Sequence, residues 1–193
     1  VVIGAVLAWV NNITEKPIAE KAQQTLAAGI KEVMNSTDIK VEDPDTVKME
    51  IQGKESIFTI HNVHTTDGAY LGSAVESTTM GFGGDLKVLV GFNAEGTILG
   101  YTILQASETP GLGAKADKWF QKDGKGNIIG KSVAKGDLKV SKDGGDVDAI
   151  TASTITSRAF LKAVNQAYSA YQDNHAASAK GADGASGASV QHN

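Results

Sequence analysis

No cysteine occurs anywhere in this 193-residue chain. That excludes disulfides, thiolate nucleophiles and Cys-ligated zinc or iron–sulfur clusters, and leaves the redox compartment open. No run of lysine and arginine occurs either; the 18 basic and 22 acidic residues are spread along the chain, for a net charge of −4. The electrostatic footprint of a nucleic-acid binder is missing, so no nucleic-acid partner is expected. The four histidines include no helical His-x-x-x-His pair. His61 and His64 lie three apart in a strand-like run, on opposite faces, and no metal site is expected from them. No side chain stands out as a hydrolytic catalyst, and no catalytic residue is assigned.

What is present suffices for a real core. A hydrophobic share of 41% in 193 residues fits one domain with appendages. Residues 1–10 are apolar, Val-Val-Ile-Gly-Ala-Val-Leu-Ala-Trp-Val. As a helix they reach ~15 Å, about half a bilayer core, so the run alone fits a buried helix, a signal-peptide remnant or part of a membrane span. Trp9 at its end, where interfacial aromatics gather, and Asn11 and Asn12 beyond favour the span. The chain begins without Met, which leads us to expect residues before Val1. Residues 1–12 are therefore read as part of a transmembrane anchor. Residues 13–36 are read as a linking amphipathic helix, with Ile18, Ala22, Leu26, Ile30 and Val33 forming one apolar stripe for packing on the domain below. Pro17 is best placed in its first turn.

Residues 37–175 form the main domain. Residues 35–46 are expected to be loop. Strands are expected at Val47–Ile51, Ser56–His64, Tyr70–Glu76 and Leu86–Phe92, the last forming a hairpin with 97–104 around the turn Asn93-Ala-Glu-Gly96. Gly81, Gly83 and Gly84 lead into a strand rather than a helix, so they form no dinucleotide fingerprint. Ser107-Glu-Thr-Pro-Gly-Leu-Gly113 leaves a strand and enters a short helix. Pro110-Gly111 suits a type II turn, and the glycines allow close approach of a flat ligand; from geometry alone an ordinary strand-to-helix turn is the better reading. Trp119 and Phe120 are expected to seal the short helix onto the core. Short strands are expected at Asn127–Ile129 and Leu138–Ser141. Residues 176–193 are low-complexity and linker-like.

Between Thr151 and Ser157 lie five hydroxyl side chains, at the start of a helix marked by Ala159, Phe160, Ala163, Val164, Ala167 and Tyr168 and running to about Tyr171. Such residues cap helices, and a helix start also seats phosphate. On hydroxyl content alone the helix cap is the better reading, since such caps are common.

Two motifs in order, Ser107-Glu-Thr-Pro-Gly-Leu-Gly113 and Asp148-Ala-Ile-Thr-Ala-Ser-Thr-Ile-Thr-Ser157, together with the hairpin strand Ile98-Leu-Gly-Tyr-Thr-Ile-Leu104, resemble the FMN-binding domain family. The resemblance covers about residues 1–172. This is the domain of the G subunit of Rnf ion-translocating complexes and of the C subunit of Na⁺-translocating NADH:quinone oxidoreductases. It implies FMN joined through its phosphate to a threonine, within the pattern Asp-x-x-Ser/Thr-Gly-Ala-Thr-x-Ser/Thr. Asp148 matches, Thr151 takes the Ser/Thr place, Thr154 falls on the modified position and Thr156 closes the motif. Ala152 replaces glycine, which strains any backbone needing positive φ there. Ser153 replaces alanine and sets a second hydroxyl beside the target. The resemblance further implies that Thr156 and Ser157 add hydroxyls to the phosphate, and that Thr109, Gly111 and Leu112, with Glu108, belong to the flavin site. Arg158 is placed either to assist the phosphate or to face solvent.

The fold class so expected is α+β: a truncated N-terminal membrane-anchor helix and an amphipathic helix, then an antiparallel-rich sheet domain with a C-terminal packing helix. The function implied is a redox subunit carrying covalent FMN in a membrane-bound ion-translocating ferredoxin:NAD oxidoreductase, with no independent catalysis, since the cofactor supplies the chemistry. The alternatives are the equivalent subunit of a Na⁺-translocating NADH:quinone oxidoreductase, an FMN-domain protein of an extracytoplasmic reductase, or a non-redox anchored scaffold. Implied partners are the other membrane subunits, a flavin transferase during maturation, and lipid around the N-terminal helix. The implied location is the cell (inner) membrane, single-pass, with the FMN domain on the extracytoplasmic, periplasmic side.

Overall fold

A computed structural model describes residues 23–51, 53–107 and 113–184. The expected anchor at 1–12, the first part of the amphipathic helix, Glu108–Leu112 and the end of the tail lie outside the described residues. The described part is α+β. Helix α1 (23–33) precedes six strands: β1 (Ile39–Val41), β2 (Asp45–Ile51), β3 (Lys54–Thr65), β4 (Tyr70–Met80), β5 (Asp85–Asn93) and β6 (Ile98–Ala106). Helix α2 (Gly113–Trp119) and the long helix α3 (Thr154–Gly184) follow. All pairings between these strands are antiparallel, in the order β1-β3-β4-β5-β6, with β2 also on β3.

Alternation along the central strands sends side chains to two different helices. On β4 and β5, Val75, Val88 and Val90 join Phe92, Phe160, Val164, Ala167 and Tyr168 in the core under α3. Ala74 and Leu89 point the other way, and with Val63 they pack against Ile30, Val33 and Met34 of the α1 region. Both faces are covered, so β5 reads as a nearly continuous apolar run from Leu86 to Phe92, and β4 is buried without alternation from Gly72 to Ser77. α1 sits close because Gly91 and Gly100 pair across β5 and β6 directly beneath it. A Cβ at either would lie 2.4 or 2.9 Å from the Val33 carbonyl oxygen. Asn35, at φ 50°, then stops the helix in the left-handed conformation, with Ser36 N–H donating to Lys31 O.

Three expectations change. β1 lies within residues expected to be loop; it is three residues long and pairs only with the end of β3. Asn127–Ile129 and Leu138–Ser141 are not strands; Val140 makes a single bridge to Val147. The side-chain amide of Asn165 on α3 takes the place of a neighbouring strand, accepting from Leu138 N–H and donating to Leu138 O, both at 3.0 Å. α3 continues past Tyr171 to Gly184 through an alanine-rich stretch, and alanine is the strongest helix former.

The junction between α2 and α3 is aromatic. Phe120 is buried and stacks on Phe160 with centroids 4.3 Å apart, and Tyr101 meets Phe160 edge-on at 4.7 Å. The buried Tyr101 hydroxyl donates to Ala116 O at 2.5 Å, and burial pushes its ionisation well above the ordinary tyrosine range. Trp119 is half-buried and packs against the edge of this core, so both aromatics hold the end of α2 onto the domain as expected.

Candidate functional site at the start of the long helix

The hydroxyl-rich segment is built as a turn strapped onto the first turn of α3. Ser153 N–H donates to Ile150 O at 3.0 Å, closing a four-residue turn in which Ala152 has φ 62°. Positive φ at that third position defines a type II turn, where glycine is the residue of least strain. Ile150 is buried, and its N–H donates to Ser157 Oγ at 2.9 Å. Ser157 Oγ in turn donates to Ser153 O at 2.9 Å, and Ser153 Oγ donates to Thr156 Oγ1 at 2.8 Å. Upstream, Trp119 Nε1 donates to Asp148 O at 2.8 Å and Ser141 Oγ donates to Asp148 Oδ1 at 2.9 Å. Gly126 is needed there, since a Cβ would come within 2.6 Å of that same Asp148 carbonyl oxygen.

The five hydroxyls thereby divide. Ser153, Thr156 and Ser157 are buried and hold the turn to the helix. Thr151 and Thr154 line an open cleft of about 370 Å³ with Trp119, Lys125, Ser141, Lys142, Asp148 and Ala152. No hydrogen bond engages the Thr154 hydroxyl among the described residues. An adjoining depression of about 580 Å³ shares Trp119, Lys125, Ile150 and Thr151, and adds Lys115, Lys118 and Asp123. Four lysines thus face two aspartates around the start of a helix whose dipole is positive there. Lys125, Lys142 and Ser141 were not singled out in the sequence; the Gly124-Lys-Gly126 spacing, with its forced close approach to Asp148, was the available signal. Arg158 is not part of the cleft. It grips Asp143 through two bonds of 2.7 and 2.6 Å, which hold the Asp143 carboxyl below its usual range. A larger depression of about 610 Å³ lies around Arg158 and Asn165, but those side chains are engaged by Asp143 and Leu138.

These residues fit a phosphate ester. A threonine hydroxyl with no partner among the described residues opens onto a cationic cleft at a helix N-terminus, beside an indole ring. Glu108, Thr109, Gly111 and Leu112 lie outside the described residues; Ser107, just before them, donates its N–H to Asp85 O and lies against Gly84.

An α+β domain with a hydroxyl-bearing cationic cleft at a helix start belongs to the class that holds phosphate-bearing ligands. Comparison with known proteins narrows this. The model of the FMN-binding domain family matches residues 81–169. The chain is 33% identical over 184 residues to the G subunit of the Na(+)-translocating ferredoxin:NAD(+) oxidoreductase complex of Acetobacterium woodii, covering 89% of this chain and 86% of that protein. It is 31% identical over 182 residues to the G subunit of the ion-translocating oxidoreductase complex of Shewanella baltica, covering 88% and 83%. With the corresponding protein of Cereibacter sphaeroides the identity is 31% over 179 residues, covering 89% and 78%. The chain belongs to this family, the FMN-binding-domain G subunits of Rnf-type ion-translocating oxidoreductase complexes.

Proposed function

We propose that Thr154 carries FMN as a phosphoester and that the chain serves as the electron-transfer subunit of an ion-translocating ferredoxin:NAD oxidoreductase complex of the Rnf type. The observation that carries the reading is the placement of Thr154: in a member of the G-subunit family, its hydroxyl opens on a lysine-lined cleft at the start of α3. FMN bound there supplies the redox chemistry; the protein supplies position and electrostatics. Attachment joins Thr154 Oγ to the flavin phosphorus, formally with loss of one water, and a flavin transferase is the expected maturation partner. Lys125 and Lys142 balance the charge of the ester, and the α3 dipole adds to them. The type II turn at Ile150–Ser153 holds Thr154 at the mouth of the cleft, while the inward bonds of Ser153 and Ser157 keep those hydroxyls from competing. The half-buried Trp119 offers a flat apolar wall, and Glu108–Leu112 form part of the ring site. Residues 1–12 anchor the chain as a single pass, and residues 13–36 link the anchor to the FMN domain on the extracytoplasmic side. Among the described residues no helix is long and apolar enough to cross a membrane.

Thr154→Val in the assembled complex tests the role. The variant is expected to assemble and to lose ferredoxin-to-NAD electron transfer by at least about a hundredfold, the scale on which a redox carrier rather than a contact has been removed. Full turnover in an assembled Thr154→Val complex would remove the flavin reading.

A further inference from the structure

Five large hydrophobic side chains are exposed among the described residues: Met80 (72%), Phe82 (66%), Ile57 (59%), Ile155 (53%) and Val41 (41%). Four of them share one end of the sheet. Met80 closes β4, and Phe82 sits in the following turn, which Gly81 N–H closes onto Gly84 O at 2.7 Å. Ile57 lies near the start of β3, two residues before Thr59, the partner of Glu76. Thr79 Oγ1 donates to Ala159 O at 2.9 Å, which sets the end of β4 beside the first turns of α3. Ile155 precedes Ala159 by one helical turn, on the side of the sheet opposite Ile57 and Met80. Val41 is at the other end, paired with Val63. The four therefore form a ring around the end of the domain rather than a groove, and a ring suits a broad, level surface better than a single docked helix.

The direction of α1 says what that surface is. Gly29 lies against Leu89, and Val33 over Gly91, so α1 runs along β5 in the same direction. At ~1.5 Å per helical residue and ~3.3 Å per strand residue, residue 23 falls level with about Leu86. The chain thus enters the domain at the end that carries the ring. The apolar run of residues 1–10 is only the segment 11–22 away, ~18 Å if that segment is helical. Charges of both signs flank the ring, Lys54, Glu55, Asp85 and Lys87, so no charged partner of one sign is indicated. Scattered exposed hydrophobics are normal, whereas clustering at one end, beside the lead-in of an apolar segment, marks an interaction site.

We infer that this end of the domain rests on the bilayer surface, with Ile57, Met80, Phe82 and Ile155 in contact with lipid, so that the Thr154 cleft is held at the membrane face. This rests on the reading of residues 1–12 as an anchor. Because the chain has no cysteine, single cysteines can be introduced cleanly. Ile57→Cys, Met80→Cys, Ile155→Cys, Val41→Cys and Leu7→Cys would each carry a nitroxide. The full chain would be studied in phosphatidylcholine nanodiscs and then in the rebuilt complex, with molecular oxygen and a nickel chelate as relaxing agents. Lipid contact is expected at 7, 57, 80 and 155, seen as several-fold higher relaxation by oxygen than by nickel, unchanged by salt, with water exposure at 41. Water exposure at 57, 80 and 155 with position 7 in lipid would overturn the inference and leave the anchor standing. Shielding of the three from both agents in the complex would overturn it in favour of a protein face. Water exposure at position 7 would overturn the anchor reading and this inference with it.

Discussion

Ala152 shows how far single residues could be read. As the alanine standing where the family pattern has glycine, it was marked in the sequence as the letter that would strain a positive φ, and the turn does hold it at φ 62°. A left-handed conformation costs an L-residue roughly 1–2 kcal/mol, partly offset for glycine by its freer unfolded chain. Ala152→Gly should therefore raise stability by about 1 kcal/mol, read as a higher denaturant midpoint with unchanged slope. The neighbouring hydroxyls were less legible. All five look alike in sequence, and only the folded turn sends Ser153, Thr156 and Ser157 inward while Thr151 and Thr154 stay on the cleft. His61 was similar: its strand position was visible, but not its 2.9 Å bond to the buried Glu76, whose other oxygen meets Lys87 Nζ at 2.5 Å. Burial alone would raise the Glu76 pKa; the hydrogen bonds from His61 and Lys87 outweigh it and hold the carboxyl below its usual 4.5. Its contribution to stability is then full above about that value and is lost as pH falls through the lower folded one. Denaturant melts on either side of pH 4.5 should show an acid-side loss that Glu76→Gln removes, the variant being already destabilised at neutral pH by about 2 kcal/mol. An equal acid-side loss in the variant would place the titration elsewhere.

At the scale of elements, strand alternation and the turn at Asn93–Gly96 gave the five longer strands to within a few residues. The apolar stripe of α1 was legible, but the two glycines that receive it were not, because a glycine inside a strand has no stated partner until the helix is placed. Gly91→Ala puts a Cβ 2.4 Å from the Val33 carbonyl oxygen, which only movement of α1 relieves. A loss of about 2–3 kcal/mol is expected, with faster amide exchange confined to α1 and its contacts; uniform loss across the sheet would contradict this account. The segment after α2 misled for the opposite reason. Its short apolar runs at 127–129 and 138–141 have strand composition, yet their backbone groups are met by Phe120 O and by the Asn165 side chain rather than by strand neighbours. Trp119 differs from Phe120 in carrying an N–H, which is drawn to Asp148 O at the edge of the cleft.

For the molecule as a whole, a two-faced antiparallel sheet is clamped between α1 and α3, and the turns and helix starts at one of its ends gather the chemistry. The cleft, the β4–β5 turn, Ser107 before the Glu108–Leu112 segment, and the entry of α1 all lie at that end. The sequence showed the parts in order, and their convergence followed only from register and helix direction. The most direct measurement is the mass of the chain isolated from a host with flavin transferase, followed by fragmentation of the peptide holding residues 148–158. The account predicts one added FMN less one water, with the adduct on Thr154, yellow and fluorescent after denaturation, and absent from a folded Thr154→Ala chain. An unmodified mass, or an adduct on Thr151 or Ser153, would contradict it.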